Sequence, residues 1–198
     1  SGIPEFHERY PEISVRLRLS DHEVDIMREG IDVAFKLGLL ESSSLRMRGI
    51  MDCERVLAAA PAYLARRGEP ERPEQLVEDR HDCLMLRFPG TREYFWTLQT
   101  AEGPKKFEVR GPFDTDDGDV ITGWALEGHG IINKPRFEIE PFLREGRLKV
   151  ILPETPPVPV KLAAIYPHRK LQDPKVRLLV DFMAERCQRM IGEILKGQ

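Results

Sequence analysis

The chain has 198 residues, enough for one large domain or two small lobes. It is 41% hydrophobic and 32% charged, the balance of a folded globular protein, and its net charge of −3 lacks the basic excess of a nucleic-acid-binding surface. No apolar run approaches the roughly 18 residues that span a bilayer, and the charged opening residues are not those of a signal peptide. The three cysteines, Cys53, Cys83 and Cys187, stand at long, irregular spacings. Buried thiols in a reducing cytoplasm fit them better than disulfides.

Residues 13–20, ISVRLRLS, alternate cleanly. Ile13, Val15, Leu17 and Leu19 take one face, and Ser14, Arg16, Arg18 and Ser20 the other, which predicts a half-buried strand. Asp21 fits a helix N-cap, Val24, Met27, Arg28 and Ile31 fall at helical spacing, and Gly30 closes the helix. DVAFKLG (32–38) predicts a strand buried on both faces. Together these three form an expected right-handed βαβ unit with parallel strands.

RVLAAAP (55–61) predicts a strand stopped by proline, and AYLARRG a short helix ending at Gly68. A further short helix is expected from Pro73, a good first-turn residue. DCLMLRF predicts a strand, and residues 94–111 a hairpin around Ala101-Glu102-Gly103-Pro104. DTDDGDVITGWALEGHGII reads as an acidic cap, a helix carrying Val120 and Trp124, a stop at Gly128 and a new strand. EIEPFLREGRL predicts a helix ended by Gly146, and LKVIL a strand. After the proline-rich connector PETPPVPV, KLAAIYP repeats the character of RVLAAAP. Asp173-Pro174 opens a long helix with an apolar stripe of Val176, Leu179, Val180, Met183, Cys187, Met190, Ile191 and Ile194.

The two similar strands bracket a self-contained α/β segment of about a hundred residues. A chain that enters a second lobe by one strand and returns by another has a two-strand hinge. The crevice between such lobes suits a small ligand.

Chemical motifs are sparse. The glycines of EGHGIINKPRF (127–137) follow a helix and precede a strand, the reverse of a phosphate loop. A helix C-cap at Gly128 and a tight strand entry at Gly130 explain them better. His129 has no histidine or cysteine at metal spacing and reads as a surface residue. DTDDGD lacks the outer ligands of a calcium loop, since Phe113 and Trp124 fill those positions. No nucleophile elbow is present, and the neighbours Asp116 and Asp117 would not face each other across a substrate. No enzyme, metal or cofactor is required.

Five stretches in register resemble the effector-binding domain of LysR-type transcriptional regulators. They are FHERYPEISVRLRLSD, DIMREGIDVAFKLG, RVLAAAPAYLARRGEPERPEQL, GHGIINKPRFEIEPFLREGRLKVILPE and HRKLQDPKVRLLVDFM. The resemblance implies an α/β type 2 periplasmic-binding-protein-like fold with two lobes, each a mixed sheet flanked by helices, joined by two hinge strands. Lobe I would take residues 1–58 and 163–198, and lobe II residues 59–162. Two family features fall outside these residues: lobe I's first strand and the N-terminal helix-turn-helix that binds DNA. Asn133-Lys134 departs from the family's apolar pair, and Lys134 is expected at the surface.

The implied function is sensing. A small effector would bind between the lobes and bias their arrangement. The family expectation is a cytoplasmic homodimer or tetramer that meets DNA only through the missing domain and has no membrane contact. Strand and helix ends supply the candidate contacts: Ser20, Lys36, Gly38, Ala60, Pro61, Arg87, Phe88, Thr115, Asp116, Asp117, Gly130 and Asn133. Lys36 and Arg87 suggest an organic anion. A transporter's solute-binding protein and a small lyase are the alternative readings of the same fold.

Overall fold

The computed structural model describes residues 2–20, 24–38, 45–87, 95–167 and 173–197. The two Ala-rich, proline-ended stretches both form strands, but in different sheets. The chain divides into two compact units, one of Ser1–Asp52 with Val160–Gln198, the other of Cys53–Pro159.

In the first unit, β1 (Ala34–Gly38), β2 (Arg46–Cys53) and β10 (Val160–Tyr166) make a sheet of order β1-β10-β2. β1 runs antiparallel to β10, with Lys36 opposite Ala163. Helix α6 (Pro174–Lys196) lays Val176, Val180 and Ala184 against Ile50, Ala164 and Tyr166. Asp173 caps it by accepting the Lys175 N–H at 3.0 Å, as the Asp-Pro signal predicts. Helix α1 (Ile3–Arg9) seats the fully buried Phe6 edge-on to Phe182, ring centres 5.4 Å apart. Gln188 Nε2 donates to the Ile50 carbonyl at 2.8 Å and ties α6 to β2.

This unit departs from the expected βαβ. Residues 13–20 form no strand among the described residues, and Leu17 and Leu19 are 60% and 84% exposed. Alternation states that a segment has two faces; a strand also needs a neighbouring strand, and no described strand pairs with it. The expected helix is a single turn. Asp25 accepts the N–H groups of Met27 and Arg28 at 3.1 and 3.0 Å, and Gly30 ends the turn at φ +66°. Asp21, the expected cap, lies outside the described residues. Ile26 is buried in that turn, while Met27 from the expected stripe is 63% exposed. β1 is half-buried and antiparallel, not buried on both faces and parallel. β2 carries two arginines and little alternation, so no sequence signal announces it.

In the second unit, β3 (Arg55–Ala59) lies between β8 (Ile131–Pro135) and β9 (Lys149–Ile151), antiparallel to both. β4 (Met85–Leu86) pairs in parallel with β7 (Asp114–Thr115), and a parallel bridge from Cys83 to Ile131 joins that pair to β8. The predicted hairpin is β5 (Phe95–Thr100) and β6 (Gly103–Glu108). One face of the sheet packs Leu57, Ala59, Cys83, Met85 and Ile131 against Trp96, Leu98 and Phe107 of the hairpin, and against Tyr63. The other packs Val56, Ala58 and Ile132 against α4 (Gly118–Leu126) and α5 (Arg136–Arg144). Helices α2 (Pro61–Arg67) and α3 (Gln75–Glu78) complete the unit. In α4 the buried residues are Ile121, Thr122 and Ala125; Val120, expected on the apolar face, is 43% exposed.

The two glycines of EGHGII are structural. Gly128 sits at φ +80° just past α4, where the His129 N–H reaches the Trp124 carbonyl at 3.0 Å. At Gly130 a Cβ would lie 2.3 Å from the Asp82 carbonyl oxygen, the same oxygen that accepts the Ile131 N–H at 2.8 Å. Only glycine lets the entry to β8 approach the Asp82 backbone so closely.

Candidate functional site

The register of the second unit sorts its candidate residues into two groups. Asn133 stands opposite Leu57, and Arg55 opposite Pro135. Because β4 runs parallel to β8 from the Cys83–Ile131 bridge, Met85 falls level with Asn133 and Arg87 level with Pro135. Thr115, beside Leu86, leads directly to Asp116 and Asp117. Arg87, Thr115, Asp116, Asp117 and Asn133 therefore share one end of the sheet. Ala60, Pro61 and Gly130 sit toward the other, with Gly130 about 10 Å from Asn133 and about 16 Å from the level of Arg87 at ~3.3 Å per residue. The expectation drew all eight from strand and helix ends, and the register spreads them along the sheet.

At the first end, the Arg87 N–H donates to the Thr115 carbonyl at 2.7 Å, and its guanidinium pairs with Asp114. Thr115 Oγ1 accepts the Asp117 N–H at 3.1 Å. Asp117 caps α4, accepting the N–H groups of Asp119 and Val120 at 2.8 and 2.9 Å. Those backbone donors, Val120 first, hold its carboxyl below the ordinary carboxylate value, and the cation of Lys134 adds to the effect. Asp116 is half-buried.

Lys134 overturns the expectation of exposure: it is 4% exposed. It alternates with Asn133, so it points to the opposite face of the sheet. There its Nζ donates to the Gly118 carbonyl at 3.2 Å and pairs with Glu138 of α5. An ammonium buried this deeply survives because a carboxylate and a carbonyl replace its water. Its role is to tie the starts of α4 and α5 together.

At the second end, Ala60 is buried and begins α2, and Pro61 is its first helical residue. Pro61 edges an open hollow of about 430 Å³ with Leu143, Leu148, Val150, Arg136 and Lys149. Both cations have partners there, Arg136 in Glu140 at 2.8 Å and Lys149 in Glu69. In the first unit, Ser20 is exposed, Lys36 is exposed on β1, and Gly38 ends β1 opposite Lys161. Phe88 lies outside the described residues. Among the described residues, no group of three histidine, cysteine or acidic side chains is placed to hold a metal ion, and no helix is long and apolar enough to cross a membrane.

The register also brings in a residue absent from the candidate set. Arg55 opens β3 on the same face as Leu57 and Asn133. Its Nε donates to the Val158 carbonyl at 3.0 Å, and burial pulls its guanidinium down to about 10. The signal for it lay in CERVLAAAP, where one arginine heads an otherwise apolar strand.

The LysR substrate binding domain matches residues 3–188. The chain belongs to that family. It is 29% identical over 196 residues to the HTH-type transcriptional activator TtdR of Escherichia coli K12, covering 99% of this chain and 62% of that protein. Among solved structures it resembles the regulatory domain of CrgA, a LysR-type transcriptional regulator from Neisseria meningitidis, at TM-score 0.76 and 28% identity, over 93% of this chain and 89% of that one. It also resembles full-length AphB of Vibrio cholerae, a virulence activator and LTTR family member, at TM-score 0.75 and 30% identity, over 93% of this chain and 62% of that one. The chain thus spans about three-fifths of the length of TtdR and AphB. Its fold is that of LysR-type regulatory domains, the two-lobed α/β architecture that the five stretches imply.

Proposed function

We propose that this chain is the ligand-sensing part of a LysR-type transcriptional regulator and works by binding, not by catalysis. The family match over residues 3–188 carries the reading, and the likeness to the CrgA regulatory domain supports it. A small effector, with an organic anion the favoured chemistry, is bound, as the resemblance implies. Its preference for one conformation of the domain is the signal, and such couplings are typically about 1–3 kcal/mol. The signal passes through a homodimer or tetramer to a helix-turn-helix region outside this chain, in the cytoplasm.

A thermal-shift screen of the purified chain against small metabolites tests this. A ligand at 100 times its Kd stabilises the folded state by roughly 2.7 kcal/mol, several degrees for a chain of this size. A reproducible shift is expected from at least one carboxylate. A library without a single binder would overturn the sensing reading.

A further inference from the structure

We propose that Arg55 and Asn133 form the recognition end of an effector site in the second unit, and that its ligand is a small carboxylate carrying a neighbouring hydroxyl. This deepens the sensing reading above and rests on it.

Arg55 is a half-buried cation without a counter-ion. Its one hydrogen bond goes to a neutral carbonyl, that of Val158, and no acidic side chain pairs with it among the described residues. A guanidinium has five N–H donors, so this bond leaves most of them to be met otherwise. Desolvating a charge is costly unless an opposite charge replaces the lost water. Lys134, one residue from Asn133, shows the usual solution in this same sheet, an ammonium closed by Glu138. Arg55 lacks it, and an anionic ligand would supply it, bidentate if it is a carboxylate.

Asn133 is the independent observation. Its Oδ1 is enclosed and has no hydrogen-bond partner. Buried polar atoms are paired in the great majority of cases, so an unpaired amide in the middle of a strand needs a reason. Among the described residues, no hydrogen bond fixes which edge of this amide faces outward. A hydroxyl both donates and accepts, so it satisfies either edge. Diagonal positions on adjacent antiparallel strands lie about 7–8 Å apart, within reach of long side chains. Arg55 and Asn133 hold that relationship across β3 and β8. Both side chains thus stand on one face of the sheet, where one small ligand can be tested against both.

Three probes separate the contributions. Lactate carries both groups, propionate lacks the hydroxyl, and lactamide lacks the charge. A ¹H–¹⁵N titration of the full chain reads the Arg55 Nε–H and the Asn133 side-chain NH₂ directly. Lactate is expected to shift both resonances saturably, propionate to bind more weakly, and lactamide to leave the Arg55 signal in place. Arg55→Gln is expected to weaken lactate about tenfold or more, the scale of a charged hydrogen bond. Should that variant fold poorly, Asn133→Ala serves instead, and it is expected to erase the preference for lactate over propionate. Millimolar lactate that moves neither resonance overturns the proposal, as does lactate bound by both variants as tightly as by the unaltered chain. The sensing reading survives those results if another metabolite binds elsewhere. It falls with the proposal if no metabolite binds at all.

Discussion

The hydroxyl of the fully buried Tyr63 bridges two groups: it accepts the backbone N–H of Asp82 at 2.8 Å and meets Nδ1 of His81 at 3.1 Å. The direction of that second bond follows the imidazole tautomer. Burial, first, and then the cation of Arg67 push the His81 pKa below 6.5, which favours the neutral ring. Burial likewise raises the Tyr63 phenol, which stays protonated. Tyr63→Phe keeps the ring but strands the Asp82 N–H and His81 Nδ1. It should cost about 1–3 kcal/mol in urea unfolding with an unchanged m value.

The same pair sets a pH dependence. A histidine with a depressed folded pKa takes up its proton more readily in the unfolded chain. Its contribution is fully present above the unfolded value near 6.5 and is lost as pH falls below it. The groups around His81 are Arg67 of α2, Asp79 and Asp82, of which the two carboxylates limit the depression. Unfolding free energy should therefore fall between pH 7 and pH 5 by an amount that His81→Gln reduces. An identical slope in that variant would assign the acid sensitivity to other groups.

The buried Lys134 gives a sharper contrast. Lys134→Met keeps the stem and removes the charge, so Glu138, which is partly exposed, turns to water. Lys134→Ala removes the stem as well and opens a void between α4 and α5. Methionine should cost about 1 kcal/mol and alanine about 2–3, since truncation adds a cavity to the lost pair. Denaturation midpoints of the two variants check the order.

Gly130 and Gly128 should also differ. Gly130→Ala drives a Cβ into the Asp82 carbonyl, which is backbone and also holds Ile131. It should cost about 2–3 kcal/mol, at the upper end of overpacking. Gly128→Ala meets only ordinary contacts but must keep φ at +80°, a strain of about 1–2 kcal/mol. Thermal unfolding of the two alanine variants ranks them.

Much of the second unit was legible because its signals are local. Pro61 and Gly68 bound α2, Asp117 caps α4, and the turn at Ala101-Glu102 sets the hairpin register. The first unit was less legible because its structure depends on partners distant in sequence. The alternation of residues 13–20 names two faces but no neighbouring strand, and β2 hides behind Arg46 and Arg48. The site suffered in the same way. Strand ends can be read from a sequence, yet which end of the sheet each one occupies is fixed only by the β3–β8 register. That register separates Ala60, Pro61 and Gly130 from Arg87 and Asn133, and it also brings in Arg55. Lys134 was misplaced because one slot along a strand reverses the face.

The three thiols make a final prediction about how the second unit opens. Cys83 is fully buried, and desolvation raises its thiol far above the ordinary range, with Asp82 adding to the effect. Cys53 is 3% exposed, and Cys187 is half-buried on α6 with its thiol raised by burial. The thiolate is the reactive form, so exposure and pKa act in the same direction. Ellman's reagent should label Cys187 slowly in the native protein, leave Cys53 and Cys83 unreacted, and label all three at once in denaturant. The residual native rate at Cys83 carries further information. If it follows the global unfolding free energy, the face shared by Leu57, Met85 and the hairpin opens only when the whole unit unfolds. A much faster rate, unchanged by Gly130→Ala, would mean that the β5–β6 hairpin lifts away on its own.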